Sequence, residues 1–248
     1  MPATPAWPPK SAPRLFVGEE LTEGARVALA GNQAHYLTRV MRAAPGDVVV
    51  LCDDMTGEWA TRVIDLDKRT VMLETVERLR AREAVPDFWL CPALLKKDRF
   101  DLVLEKATEL GIAAIRPVVT RRCVADKLNA GRARAIVVDA AEQCARTALP
   151  SIAAPVSLDA LLRDWPAGRT LFFADEQGGE PAATAFVGVV SAALVTGPEG
   201  GFDETERAAI RAHPAARAIS LGPRILRGET AAIAAAALWM GIAGDWRK

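Results

Sequence analysis

The sequence is poor in the residues that build metal and thiol sites. It holds two His (His35 and His213) and four Cys (Cys52, Cys91, Cys123 and Cys144) in 248 residues, with no C-x-x-C pair. A structural zinc site takes about four such ligands at close spacings, so no metal is expected. Dispersed thiols without an export signal read as the reduced cysteines of a cytoplasmic protein. No apolar run approaches the ~18 residues of a membrane-spanning helix, so no membrane partner is expected. The opening MPATPAWPPKSAP lacks the apolar core of a secretory signal and reads as a frayed leader. Charge of one sign is not in excess: 31 Lys+Arg face 31 Asp+Glu. Residues 1–84 carry 11 basic and 12 acidic side chains, and residues 85–248 carry 20 and 19. That balance excludes a general polyanion coater, whose binding is largely electrostatic. A shape-selective binder with local basic patches remains open. Such patches occur at Arg14, Arg39 and Arg42, at Lys96, Lys97 and Arg99, at Arg121, Arg122 and Lys127, and at Arg132 and Arg134.

Several motifs are also missing. Without G-x-x-x-x-G-K-[ST] there is no P-loop, and without G-x-G-x-x-G a dinucleotide-binding unit has no support. No G-x-S-x-G elbow is present for a serine hydrolase. What is there is two patterns in series. Short Val- and Thr-rich segments at Arg26–Ala30, Asp47–Asp53, Glu58–Asp65 and Thr70–Val76 predict strands, with a short helix over Asn32–Met41. Several short strands in about 80 residues imply a small β-barrel. Beyond Pro86, apolar runs alternate with helical periods, which implies a parallel α/β sheet. We place the domains at 1–82 and 83–248. Asp203 with Glu206 forms a capping-box-like helix start. The last helix, from about Thr230 to Ile242, is apolar almost all round, which calls for burial in the core or against a partner subunit.

Chemistry is expected in two Gly-containing segments that each follow a predicted strand. They are Val195-Thr-Gly-Pro-Glu-Gly-Gly-Phe202 and Ser220-Leu-Gly-Pro-Arg-Ile-Leu-Arg-Gly-Glu-Thr-Ala-Ala232. Ligands of open α/β sheets bind beyond the carboxyl ends of strands, and glycines let the backbone approach closely. Two tight strand-to-helix connections would give the same pattern.

The two segments together resemble the signature of the RsmE family, within the SPOUT superfamily of knotted methyltransferases. The resemblance extends through Arg14-Leu-Phe-Val, His35-Tyr-Leu-x-Arg39-Val-Met-Arg42, Lys96-Lys-Asp-Arg-Phe100, Glu105-Lys-Ala-Thr-Glu-Leu-Gly111 and Ala141-Glu-Gln-Cys-x-Arg146. It implies an α/β fold: a trefoil-knotted SPOUT domain with a parallel sheet, preceded by a PUA-like RNA-binding barrel. It further implies a homodimer that methylates N3 of a uridine in 16S ribosomal RNA or the small ribosomal subunit, with S-adenosylmethionine as cofactor. Other members of the superfamily act on another base or ribose, and a non-enzymatic RNA-binding module is the competing class. The residues expected at the cofactor are Phe173, Ala174, Thr196, Gly197, Pro198, Glu199, Gly200, Gly201, Leu221, Gly222, Ile225, Leu226, Arg227, Thr230 and Ala231. Arg14, Arg39, Arg42, Lys96, Lys97 and Arg99 are expected to hold RNA phosphates. N3 carries a proton that must leave, so a cation or a base is needed. Arg227 is the choice for charge stabilisation and Glu229 for proton acceptance or orientation. A brace between the two side chains would also account for them.

Overall fold

The computed structural model describes residues 7–9, 11–67 and 69–247. The leader read at 1–13 thus lies partly outside the described residues. The chain divides into two compact units, one running to Ala84 and including Ala141–Ala148, the other comprising Val85–Ala140 and Leu149–Lys248.

In the first unit the strands are β1 (Arg14–Phe16), β2 (Arg26–Ala30), β3 (Val48–Asp53), β4 (Gly57–Leu66) and β5 (Thr70–Ala81). They form one sheet in the order β1-β3-β4-β5-β2. Strict alternation in β2, which buries Val27 and Leu29, matches its half-buried place on β5. Three register shifts between β4 and β5 bend that long ribbon. The predicted helix appears as α1 (Gly31–His35) followed by a π-helical turn over Tyr36–Val40. Leu21, Leu37, Leu51, Val71 and Leu73 are among the residues of its core. Asp53 ties the β3–β4 turn together. Its carboxylate accepts from the Leu21, Met55 and Gly57 amides and from the Thr56 hydroxyl, at 2.6 to 3.0 Å. Burial pushes the Asp53 carboxyl up, but these hydrogen bonds outweigh it and hold the group below the ordinary value.

Segment 141–148 counts with this unit because its polar groups are answered there. Glu142 accepts from the Phe16 amide at 2.7 Å, and Thr147 exchanges hydrogen bonds with Glu83 at 2.7 and 2.9 Å.

The second unit contains β6 (Phe88–Pro92), α2 (Lys97–Glu109), β7 (Ala114–Ile115), β8 (Val118–Val119), most of α3 (Ala130–Cys144), β9 (Ser151–Ile152), β10 (Val156–Ser157) and α4 (Leu158–Arg163). It continues with β11 (Thr170–Ala174), β12 (Glu180–Pro181), α5 (Ala182–Ala185), β13 (Ala192–Thr196), α6 (Glu204–Ala212), β14 (Ala216–Ser220) and α7 (Gly228–Ile242). Seven strands pair in the order β12-β14-β11-β13-β6-β7-β9, every pair parallel. The alternation of strands and helices thus builds the expected parallel sheet. Gly111 ends α2 in the left-handed region, at φ 88°. At the start of α6, Asp203 and Glu206 make both hydrogen bonds of a capping box. The apolar run from Ile112 to Val119 is split at Arg116-Pro117 into β7 and β8, because proline cannot donate to a ladder. Helix α7 buries Ala232, Ala235, Ala236, Trp239 and Met240. Trp239 stacks on Phe88 of β6, with ring centroids 4.3 Å apart.

Candidate functional site

Strands β11, β13 and β14 lie side by side, and their carboxyl ends open into one cleft of about 160 Å³. The loop after β13 and the loop before α7 both reach it, although they are separated in the chain by α6 and β14. Of the residues expected at a cofactor, the structure sets Ala174, Thr196, Gly197, Pro198, Gly201, Leu221, Gly222, Ile225, Leu226 and Ala231 around this cleft. The others lie elsewhere. Phe173 is 1% exposed and points into the core with Leu171 and Val195, because successive strand residues face opposite sides. Glu199 and Gly200 are exposed, and Arg122 closes over Gly200, donating to its carbonyl at 2.7 Å. Arg227 and Thr230 are exposed and lie outside the cleft lining.

Backbone geometry accounts for two of the glycines. Gly201 has φ 68°, where a side chain is strained, and its Cβ would stand 3.0 Å from Glu176 Oε1. At Gly228 the backbone is ordinary, but a Cβ would meet the Gly197 carbonyl oxygen at 3.0 Å. Glycine at 228 therefore lets the start of α7 pass against the 196–202 loop.

Residues not expected from the sequence complete the cleft, chiefly Asp175, Glu176 and Arg207. The Asp175 carboxylate accepts from Arg207 Nε at 3.1 Å and from Arg211 at 2.7 Å. Arg207 also donates to Glu176 at 2.9 Å and to Glu204 at 2.8 Å. This network clamps the loop after β11 onto α6 and holds the half-exposed Glu176 carboxylate at the cleft. The signal was available in the sequence: Asp175-Glu-Gln-Gly-Gly179 is a third Gly-containing segment after a strand.

The two residues picked for catalysis are placed differently from each other. Glu229 is 3% exposed in the first turn of α7, and its Oε1 is paired with the Arg99 guanidinium of α2. Its Oε2 is buried without a hydrogen-bond partner among the described residues. The Arg227 guanidinium has no hydrogen bond or ion pair among the described residues. A brace between Arg227 and Glu229 is therefore not what the structure contains. Arg99, expected on RNA, is engaged by Glu229. Arg14 is likewise engaged: its Nε donates at 2.7 Å to Glu58, a buried carboxylate that also pairs with Arg80. Lys96, Lys97, Arg39 and Arg42 are exposed and carry no ion pair among the described residues. Beside Arg39 and Arg42, Tyr36, Val40 and Met41 are also solvent-exposed.

Residues 82–240 match the model of the RNA methyltransferase domain, and residues 29–76 that of the RNA methyltransferase PUA domain. The chain belongs to the RNA methyltransferase family. A Synechocystis relative, "Ribosomal RNA small subunit methyltransferase E", is 34% identical over 88% of this chain and 74% of its own. The relative of the same name from Rickettsia conorii is 29% identical over 90% of this chain and 93% of its own. Among solved structures, the ribosomal RNA small subunit methyltransferase E of Neisseria gonorrhoeae bound to S-adenosyl methionine superposes with a TM-score of 0.87 at 28% identity, covering 95% of this chain and 99% of that one. These family relationships span both units. They make the protein a methyltransferase and set aside the non-enzymatic module.

Proposed function

We propose that the protein is a homodimeric cytoplasmic enzyme that transfers a methyl group from S-adenosylmethionine to N3 of one uridine in 16S ribosomal RNA of the small subunit. The observation that carries this reading is the single cleft at the ends of β11, β13 and β14, onto which both signature loops converge. The full-length likeness to a relative solved with that cofactor supports it. The same reading includes closure of the first sheet into a PUA-like barrel, which the bends in β4–β5 favour. It also includes a knotted C-terminal segment, favoured by the convergence of the loops.

The residues present fit the cofactor. Leu221, Leu226 and Ile225 offer an apolar wall for an adenine, and Ile225, at 85% exposed, is an apolar side chain that a ligand would cover. Glu176 offers a carboxylate acceptor for ribose hydroxyls, while Gly197 and Gly201 let backbone groups approach closely. S-adenosylmethionine supplies an electrophilic methyl group on a sulfonium. The chain's task is to hold uracil N3 in line with it and to stabilise the charge left when the N3 proton departs. Arg227, exposed beside Gly228 and unpaired among the described residues, serves that charge. For Glu229, burial and the Arg99 pair favour orientation over proton acceptance: it fixes the first turn of α7 against α2. On the first unit, Arg39 and Arg42 hold RNA phosphates; Arg14 instead neutralises Glu58.

Two measurements test this. Mass spectrometry of ribosomal RNA nucleosides from cells lacking the protein should show loss of 3-methyluridine, and an unchanged level refutes the reading. Calorimetry should show cofactor binding that Gly197→Val weakens by about tenfold or more, since the added side chain projects into a well-filled loop. Gly197 is the better position for this, because any side chain at Gly201 adds backbone strain. Equal affinity in the variant would remove the cofactor from this cleft.

The dimer is favoured by α7, whose Ala234 and Gly241 are exposed, with Ile233, Ala237 and Leu238 partly so. A second copy would cover that apolar strip through a two-fold contact. Sedimentation at micromolar concentration should give about twice the 26.5 kDa of one chain. An active monomer would contradict it. Replacing Arg39 and Arg42 by Ala should weaken RNA binding and lower its salt slope by about one to two units, with cofactor affinity unchanged. Unaltered RNA affinity would move the phosphate contacts elsewhere.

A further inference from the structure

A second cavity, of about 600 Å³, opens in the same unit between the first turn of α2 and residues 125–133. Its floor is apolar, made by Leu95, Phe100, Leu128 and Ala133. Its charged lining is Lys97, Lys127, Arg132 and Asp101. Arg132 Nε lies 3.1 Å from the Asp101 carboxylate, so these two charges answer each other. Lys97 and Lys127 are exposed and have no ion-pair partner among the described residues. The cavity thus combines a greasy floor with two free cations. It meets the cofactor cleft at Leu95: a Cβ on Gly228, which lines that cleft, would stand 2.9 Å from Leu95 Cδ2.

We propose that this cavity receives the target uridine, extruded from the ribosomal RNA stack, with its base on Leu95, Phe100 and Leu128 and its flanking phosphates at Lys97 and Lys127. The inference rests on the methyl-transfer reading above and adds where the substrate sits. An enzyme acting on a base edge must take that base out of its stack, and the lost stacking has to be replaced by apolar contact. The phosphates on either side carry negative charge wherever the base goes, so unpaired cations at the rim complete the fit. Adjacency to the cleft is the third requirement, and the Leu95–Gly228 contact meets it.

The test uses the full chain, S-adenosylmethionine and small ribosomal subunits lacking the modification. Wild type must bind the cofactor and methylate; if it does neither, the functional reading itself has failed. Leu128→Trp fills the floor, and Lys97→Glu with Lys127→Glu reverses the rim on exposed side chains that the fold does not need. Cofactor affinity should stay within about twofold in both variants. Single-turnover methylation at saturating RNA should fall about 100-fold in Leu128→Trp, as expected when a base is misplaced. In the double charge reversal KM for RNA should rise about tenfold or more, with a weaker salt dependence. Wild-type methylation and RNA KM in the charge-reversed protein, or a normal single-turnover rate in a folded Leu128→Trp, overturns the proposal.

Discussion

Replacing Trp239 with Ala is expected to destabilise the second unit by about 3–5 kcal/mol, the range for truncating a large buried aromatic. Trp239 is fully buried on α7 and lies flat against Phe88, the rings 8° from parallel. Phe88 in turn meets Phe186 edge-on at 6.5 Å, and Phe186 meets Phe172 at 4.9 Å. The aromatic row joins α7 to the central strands β6 and β11, so the cavity left by Ala would open where helix and sheet are held together. Trp239→Phe separates packing from polarity. The indole N–H is buried without a partner among the described residues, and Phe removes that donor while keeping a ring to stack. Its cost should be well below that of Ala. Urea unfolding followed by far-ultraviolet circular dichroism measures both. An Ala variant losing less than about 1 kcal/mol would show that α7 is not held through this stack. Because α7 begins at the cleft, cofactor affinity should fall along with stability in Trp239→Ala.

How legible this molecule was depends on the range of the interactions involved. Local signals were reliable. The strand Arg26–Ala30 and the capping box at Asp203 follow from alternation and cap chemistry within a few residues. Most of the cleft lining was legible for the same reason, since a Gly-containing segment after a parallel strand marks the ligand end of the sheet. Phe173 was misplaced by one step of strand parity, which only the sheet's pairing fixes. Partners distant in the chain were invisible. Arg14 meets Glu58 at a separation of 44 residues, and Arg99 meets Glu229 at 130. Both arginines therefore looked like free surface cations. Segment 141–148 was hidden similarly, because the groups that answer Glu142 and Thr147 lie far upstream. The second cavity draws on residues from 94 to 133, which no single motif spans.

Replacing Arg227 with Ala should lower single-turnover methylation at saturating RNA by about 10²-fold or more, the usual cost of removing one donor that stabilises developing charge. Cofactor affinity should change little, because Arg227 lies outside the cleft lining. Glu229→Gln decides how the proton leaves. If Glu229 took the proton, the amide would abolish that step, and the rate would fall steeply with an altered pH profile. The geometry argues otherwise. One Glu229 oxygen is held by Arg99, the other is buried, and neither lines the cleft. We therefore expect a fall of about tenfold in Glu229→Gln, with the rate still rising with pH as in wild type, the N3 proton passing to water under the influence of the Arg227 charge. Arg99→Ala should be worse than Glu229→Gln for stability. It leaves a carboxylate buried and uncompensated, although the 44% exposure of the Arg99 side chain tempers the loss. Arg99→Lys, which keeps a cation, should recover part of it. A pH profile that flattens in Glu229→Gln while Arg227→Ala stays near wild type would reverse the assignment and make Glu229 the base.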